Sequence, residues 1–417
     1  MKKYKLGELL DVTRGASLSG EYYSTEGEFL RLTLGNFDYQ NGGFKENTSK
    51  DDLFFTGTVK PQFILNEGDI ITPLTEQTQG LIGSTARIPQ SGVYIQSQDV
   101  GLVKCNGELL DPDFCYYLLP SQIVKKQLSA GAQQTKIRHT SPDKIKDVTV
   151  FLPELSEQRK IGHILRSIDS QIDNLTAINR NLEQLARQLY DYWFVQFDFP
   201  NDEGKPYKSS GGEMVWNEKL KRCIPKDCLL KKIGEILDKV PKSIRLSTKE
   251  YNAKGDFPIV DQSSDKYIVG YTDEETAVVK KYPAILFGDH SCVVKYLNFE
   301  FCRGADGTQI LYSANTRIPL EYLYFAVKDI KFKEGYARHY SILKDNLIIV
   351  PEEKVAAGFE IRVKPIFNSI KDNIFEIISL QRLLDELLPM LLNGQVSVYD
   401  IKSYDFMPED IQMAAEP

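Results

Sequence analysis

The sequence predicts an α+β protein in which two similar globular parts are joined by two long antiparallel coiled-coil helices, related as a pseudo-twofold internal repeat. Three observations predict it: an ordered internal repeat, two heptad seams of matching phase, and a Pro/Gly/Ser-rich break between the halves. A chain of 417 residues also exceeds what one compact core holds, so more than one domain is expected on length alone.

The repeat runs in the same order in both halves. Leu6-Gly7-Glu8-Leu9-Leu10-Asp11 returns as Ile233-Gly234-Glu235-Ile236-Leu237-Asp238. The aromatic stretch Pro112-Asp113-Phe114-Cys115-Tyr116-Tyr117 has its counterpart in Pro319-Leu320-Glu321-Tyr322-Leu323-Tyr324-Phe325. Arg138-His139-Thr140-Ser141 returns as Arg338-His339-Tyr340-Ser341. An apolar strand ending in proline follows each, Val148–Pro153 and Leu347–Pro351. Repeats of roughly 200 residues are too long for a solenoid unit, so a whole domain-plus-helix unit is duplicated.

After each proline the spacing predicts a long helix. In the first, Ile161, Leu165, Ile168, Ile172, Leu175, Asn179, Leu182, Ala186 and Leu189 fall at alternating steps of four and three. In the second, Val363, Phe367, Ile370, Ile374, Ile377, Gln381, Leu384, Leu388 and Leu391 do the same. Four heptads of this kind form a coiled-coil seam, and the single polar residue in each, Asn179 or Gln381, is of the type that sets register. The order domain, helix, domain, helix then requires the second helix to return antiparallel to the first. Two globular parts are expected at opposite ends of a two-helix rod.

The boundaries follow: a globular part over 1–152, a helix over 153–195, a loop linker over 196–216, a second globular part over 217–351, a helix over 352–395 and an acidic tail over 396–417. Short strands are expected at Asp69-Ile70-Ile71, Val93-Tyr94-Ile95 and Gly101-Leu102-Val103, and again at Ala284–Phe287, Cys292-Val293-Val294 and Phe299-Glu300-Phe301.

Composition is that of an ordinary globular protein, and no run approaches the ~20 apolar residues of a membrane helix. The basic start Met1-Lys2-Lys3-Tyr4-Lys5 has no apolar stretch behind it and so is no signal peptide. Six scattered cysteines read as reduced thiols of a cytoplasmic protein, and Cys223 and Cys228 have no second pair at zinc-site spacing. The net charge of −7 is unevenly spread: residues 217–254 hold eleven basic against five acidic side chains, and 121–146 six against one. DNA binding needs such local positive faces rather than a basic average.

Catalytic patterns are missing. There is no glycine-rich cofactor loop, no Asn/Asp-Pro-Pro-aromatic motif, no phosphate loop, and four histidines stand in no metal-ligand spacing. Neither a catalytic residue nor a metal ligand is therefore assigned. Asp345 with Glu352-Glu353-Lys354 resembles the Asp…Glu-x-Lys metal site of many nucleases, which leaves a stand-alone nuclease as one alternative. The other is a coiled-coil scaffold that binds no nucleic acid.

Leu152-Pro153-Glu154-Leu155-Ser156-Glu157-Gln158-Arg159-Lys160-Ile161 resembles the start of the first spacer helix in the specificity subunits of type I restriction–modification enzymes. Trp193-Phe194, Gly204-Lys205-Pro206, and Ile224-Pro225 ahead of Lys232-Ile233-Gly234 resemble that family's central region. The second copy departs from the signature, with Pro351-Glu352-Glu353-Lys354. The resemblance implies a subunit without catalysis of its own, in which each globular part is a target recognition domain for half of a split, asymmetric site in double-stranded DNA. It implies two methyltransferase subunits using S-adenosylmethionine as partners, and two restriction subunits using ATP and Mg²⁺; this chain itself holds no cofactor and meets no membrane. The helix pair would act as a ruler: the seam from Ile161 to Leu189 is roughly 42 Å long, about 12 base pairs of DNA.

Within such domains, amide and guanidinium side chains on loops are the expected contacts, since Gln reads adenine, Arg reads guanine, and Lys and Arg hold phosphates. The candidates are Gln77, Gln79, Gln133, Gln134, Lys136, Arg138 and His139 in the first part. In the second they are Gln262, Arg303, Gln309, Arg338, His339 and Tyr340.

Overall fold

The computed structural model describes residues 1–38, 42–76, 81–130, 138–264, 266–304, 307–332 and 338–395. The chain forms two compact units, one of Met1–Asp173 with Ile378–Pro417 and the other of Asn174–Ile377. Both divisions fall inside the two long helices, Leu155–Tyr190 and Glu353–Leu392, so each unit contains one end of each helix. No described helix is long and apolar enough to cross a membrane.

In the first unit, the strand Lys2–Lys5 pairs antiparallel with Thr149–Leu152, with Lys2 opposite Leu152. The globular part therefore begins and ends at one ladder, directly ahead of Pro153 and the long helix. Leu6–Leu9 makes one helical turn that buries Leu6 and Leu9. Gly7 in that turn lies against the short helix Pro142–Lys146, where an added Cβ would stand 3.0 Å from the Lys146 Cβ. An antiparallel sheet follows in the order Leu10–Arg14, Val100–Cys105, Ile70–Pro73, Ala86–Arg87. Phe29–Arg31 runs parallel to Tyr94–Ile95 in a second sheet. Leu32, Phe37, Leu65, Ile71, Ile88 and Val100 share the core of this part.

The second unit repeats the plan. Leu229–Lys232 pairs antiparallel with Leu347–Val350, and Ile233–Ile236 makes the buried turn after it. Gly234 stands against Lys344 as Gly7 does against Lys146, with 3.2 Å from its ideal Cβ to the neighbour's. Even an ion pair recurs: Lys232 meets Asp345 at 2.8 Å, and Lys5 meets Asp147 at the matching place. Phe257–Val260 runs parallel to Phe301–Gly304, and Ala284–Gly288 lies between Val294–Leu297 and Thr308–Leu311. The strand expected to start at Cys292 starts at Val294, because Cys292 has a left-handed backbone (φ 57°) in the preceding turn.

The segment expected to be a loop linker is a folded one. A wide π turn over Asp191–Val195 ends the first long helix and buries Trp193 and Phe194. Phe197 and Phe199 are buried behind it, Phe199 stacks on Tyr207 at 4.7 Å, and the Asp198 carboxylate accepts from the Ser209 backbone and hydroxyl.

Within the second unit the two long helices run antiparallel. Asn179 donates to the Ile370 carbonyl (3.4 Å) and accepts from Asn373 (2.8 Å), while Tyr190, eleven places on, meets Phe359. The partner of Asn179 is thus Asn373. Asn179 lies 26 places beyond Pro153, whereas Gln381 lies 30 beyond Pro351, so the two polar seam residues sit one turn apart relative to the helix starts. Of the seam residues, Ile161, Leu165, Ile168, Ala186, Val363, Phe367 and Leu391 are buried. Ile172, Leu175, Asn179, Leu182, Leu189, Ile370, Ile374, Ile377, Gln381, Leu384 and Leu388 are half-buried. Near the end of the second helix the deepest row is instead Leu380, Leu383, Leu387 and Leu391. The step from Gln381, Leu384 and Leu388 to Leu380, Leu383 and Leu387 turns the buried face by about 100°, one residue of helix.

The first long helix is locked at its start by Gln158, which is buried. Its carboxamide accepts from the Asp111 backbone (3.1 Å) and donates to the Leu109 and Pro153 carbonyls (3.1 and 3.0 Å). Asp111 in turn caps the helix Pro112–Leu118, and at Gly162 an added Cβ would come within 2.7 Å of the Phe114 backbone nitrogen.

Gln158→Ala should leave those three backbone groups without partners and lower stability by about 2–4 kcal/mol. Urea unfolding would show it as a lower midpoint, and an unchanged midpoint would dismiss the lock.

The Tyr117 hydroxyl donates to Asp169 on the same helix, and burial pushes the Asp169 carboxyl up to about 6. A carboxyl raised on folding contributes stability that is full below its unfolded value, near pH 4, and is lost as pH rises through about 6. Asp169→Asn keeps the acceptor without the charge, so relative to wild type it should gain stability between pH 5 and pH 7.5. Urea midpoints at the two pH values check this; equal differences would mean that Asp169 titrates normally.

Candidate nucleic-acid interface

In the second unit, the candidate side chains converge where four loops meet at the end of the strand Ala284–Gly288. Asp289 is the hub. Its backbone N–H donates to the Gly307 carbonyl (2.7 Å), and its carbonyl accepts from the His339 backbone (3.0 Å). The His339 Nδ1 also stands 3.0 Å from that carbonyl, so it carries a proton there. The Asp289 carboxylate accepts from the Tyr340 backbone at 2.7 Å. Gln262 sits on the next loop: its backbone carbonyl accepts from the Ser291 hydroxyl at 3.0 Å, and its side-chain oxygen faces the His290 and Ser291 N–H groups at 3.4 Å. Gln309, half-buried, lies on the strand Thr308–Leu311 opposite Phe287.

This placement changes the reading of several residues. His339 is buried with its ring edge against Phe332, so it braces the fold instead of facing a ligand. Tyr340 is half-buried, and burial raises its hydroxyl. Arg303 is buried, with Nε donating to the Thr308 hydroxyl (3.2 Å) and Nη2 to the Thr308 carbonyl. Burial, and then the charge of Arg245, holds its guanidinium down at about 10. Arg338 is exposed. Gln262, tied into the turn, supports the loop that carries His290 and Ser291.

The first unit joins the corresponding segments as well, with the bond one residue further along the repeat. Thr75–Glu76 pairs with Arg138–His139, and the Thr140 backbone donates to the Leu74 carbonyl at 2.9 Å. His139 is exposed here, unlike His339. Glu76, buried, accepts from the Leu81 backbone (3.0 Å). Gln77, Gln79, Gln133, Gln134, Lys136 and the Arg138 side chain lie outside the described residues. The described residues on either side of the ladder, Glu76 and Arg138, are register partners.

The nuclease-like residues are occupied separately. Asp345 pairs with Lys232 and Lys354 with Asp202, all exposed, while Glu352 and Glu353 are exposed at the start of the second long helix. No group of three or more metal-ligating side chains occurs among the described residues. The sequence reading missed Asp289, whose signal is weak: an acidic residue in a turn, followed by a histidine, with nothing to set it apart from a solvated loop.

Residues 1–184 match the model of the type I restriction modification DNA specificity domain. Over 317 residues the chain is 26% identical to the type I restriction enzyme MjaIX specificity subunit of Methanocaldococcus jannaschii, covering 69% of this chain and 70% of that one. The MjaVIII specificity subunit of the same organism is 30% identical over 194 residues, 44% of this chain and 43% of the other. In fold, the chain resembles the crystal structure of a type I restriction–modification S subunit from M. genitalium, with a TM-score of 0.56, 18% identity, and 94% and 95% of the two chains covered.

Asp289→Ala should leave the Tyr340 N–H without its acceptor and cost about 1–3 kcal/mol, with Asp289→Asn recovering most of it. Urea unfolding of the two variants measures this. An alanine variant as stable as wild type would mean that the carboxylate does not hold the junction.

Proposed function

We propose, for a chain that belongs to the specificity subunits of type I restriction–modification enzymes, that each globular part reads one half of a split, asymmetric DNA site. The chain's role is DNA recognition. The observation that carries the finer reading is the doubled junction: Leu74 with Thr140 in one unit, and Asp289 with His339 in the other, gather loops of different sequence on the same frame. A shared frame with unlike loops is what two independent readers of unlike sequences require.

In this reading the chain performs no chemistry. Two methyltransferase subunits would supply S-adenosylmethionine-dependent modification, and two restriction subunits ATP- and Mg²⁺-dependent cleavage, in the cytoplasm. Apolar side chains on the first long helix suit a partner protein: Ile178 and Leu185 are exposed at seven-residue spacing on one face, and Tyr192 is exposed in the turn beyond. The long helices would set the spacing between the two half-sites.

Mapping methylated bases in host DNA with and without the gene tests the function directly. Replacing residues 217–351 with the corresponding part of a relative should then change one half-site and leave the other intact. If both halves changed together, the two parts would not read independently.

A further inference from the structure

Arg245 and Arg303 are side by side. The short strand Arg245–Leu246 runs parallel to Phe301–Gly304 at the edge of its sheet, with Arg245 directly opposite Arg303. Residues paired in this way project from the same face, and like charges placed so repel. Arg303 is buried and pinned by Nε and Nη2 to Thr308, so it cannot swing away. The Arg245 side chain is exposed and makes no hydrogen bond or ion pair with any described residue. The nearby Asp261 carboxylate is engaged by the Ser263 backbone at 2.8 Å and the Tyr251 hydroxyl at 3.5 Å. Arg245 also falls within the most basic stretch of the sequence, residues 217–254.

We propose that Arg245 and Arg303 form a DNA phosphate site on the second recognition domain, with Arg245 as the contact and Arg303 as the positioning cation beneath it. This rests on the functional reading above. A guanine edge would occupy one guanidinium and, being neutral, would leave the repulsion between the pair in place. A phosphate is charged, takes the Arg245 fork on its oxygens, and relieves it. Arg303 holds its fork against Thr308 and supplies field, while Arg245, free on an edge strand, can turn its own fork outward. Arg245 and Arg303 are 58 residues apart in sequence, and only the pairing of their strands brings them together.

The test measures binding of the full-length chain to a random-sequence duplex and to a duplex carrying its mapped site, across a salt series. Arg245→Ala should weaken both equally and reduce the slope of log affinity against log salt by about 0.9, the value for one phosphate contact. Arg245→Lys should keep the slope, since it keeps the charge. Arg245→Glu should lose more affinity than alanine while melting no lower than wild type, because glutamate can pair with Arg303. An unchanged slope in Arg245→Ala overturns the site, and so does a changed base preference at unchanged slope, which would make Arg245 a base reader. A wild-type chain that binds neither duplex would instead defeat the functional reading on which the site rests.

Discussion

A helix of 36 residues with apolar side chains every three or four places must keep that stripe out of water, and this requirement orders the rest of the molecule. In the second unit the stripe is covered by rings. Phe194 meets Tyr322 at 4.5 Å and Phe359 at 5.0 Å, and Tyr190 meets Phe325 at 5.3 Å. Tyr322 and Phe325 belong to the globular part and Phe359 to the second long helix, so one cluster joins three elements that are far apart in sequence. Aromatic pairs of this geometry add about 0.5–1.5 kcal/mol each beyond the area they bury. The wide turn at Asp191–Val195 also follows from them, since it turns Trp193 and Phe194 together into the cluster.

The two copies agree where the chain must close and differ where it is free. Both keep the terminal ladder, the glycine at the helix crossing and the lysine–aspartate pair beside it. They part company at the start of the long helix. Gln158 ties three backbone groups together in the first copy, whereas the residue equally far beyond Pro351 in the second is the buried Ala356. In the second copy Phe359, three residues further on, packs into an aromatic cluster with Tyr190 and Phe194. The histidine of the repeated Arg-His motif diverges too, exposed as His139 and buried as His339.

Much of the fold was legible in the sequence because periodicity and order are local or countable properties. The strands around Ile70, Tyr94, Leu102 and Leu286, the aromatic helices and both long helices lie where pattern places them. The burial row at Leu380, Leu383 and Leu387 was not legible, because a heptad count carries one face along the whole helix, whereas the buried face shifts by one residue near its end. The candidate interface was half legible. Gln262, Arg303 and His339 were singled out by residue type and loop context, and they do come together, but type alone cannot tell a side chain that holds a turn from one that faces solvent. That distinction depends on Asp289 and Thr308, whose partners are brought to them only by the tertiary fold.

The ladder that closes each globular part has a consequence for how such chains change over generations. Because the first and last strands of a part are hydrogen-bonded neighbours, everything between them is a loop in the topological sense, entering and leaving the frame at one spot. A recombination event whose crossovers fall within the codons of Lys2–Lys5 and Thr149–Leu152, or of Leu229–Lys232 and Leu347–Val350, replaces one whole insert and leaves the helices untouched. Backbone pairing of this kind is nearly indifferent to side-chain identity, so an insert from a distant lineage can be sealed by the same strands. The hydrogen-bonding of two short ladders thereby gives each globular part a single seam at which it enters and leaves the chain.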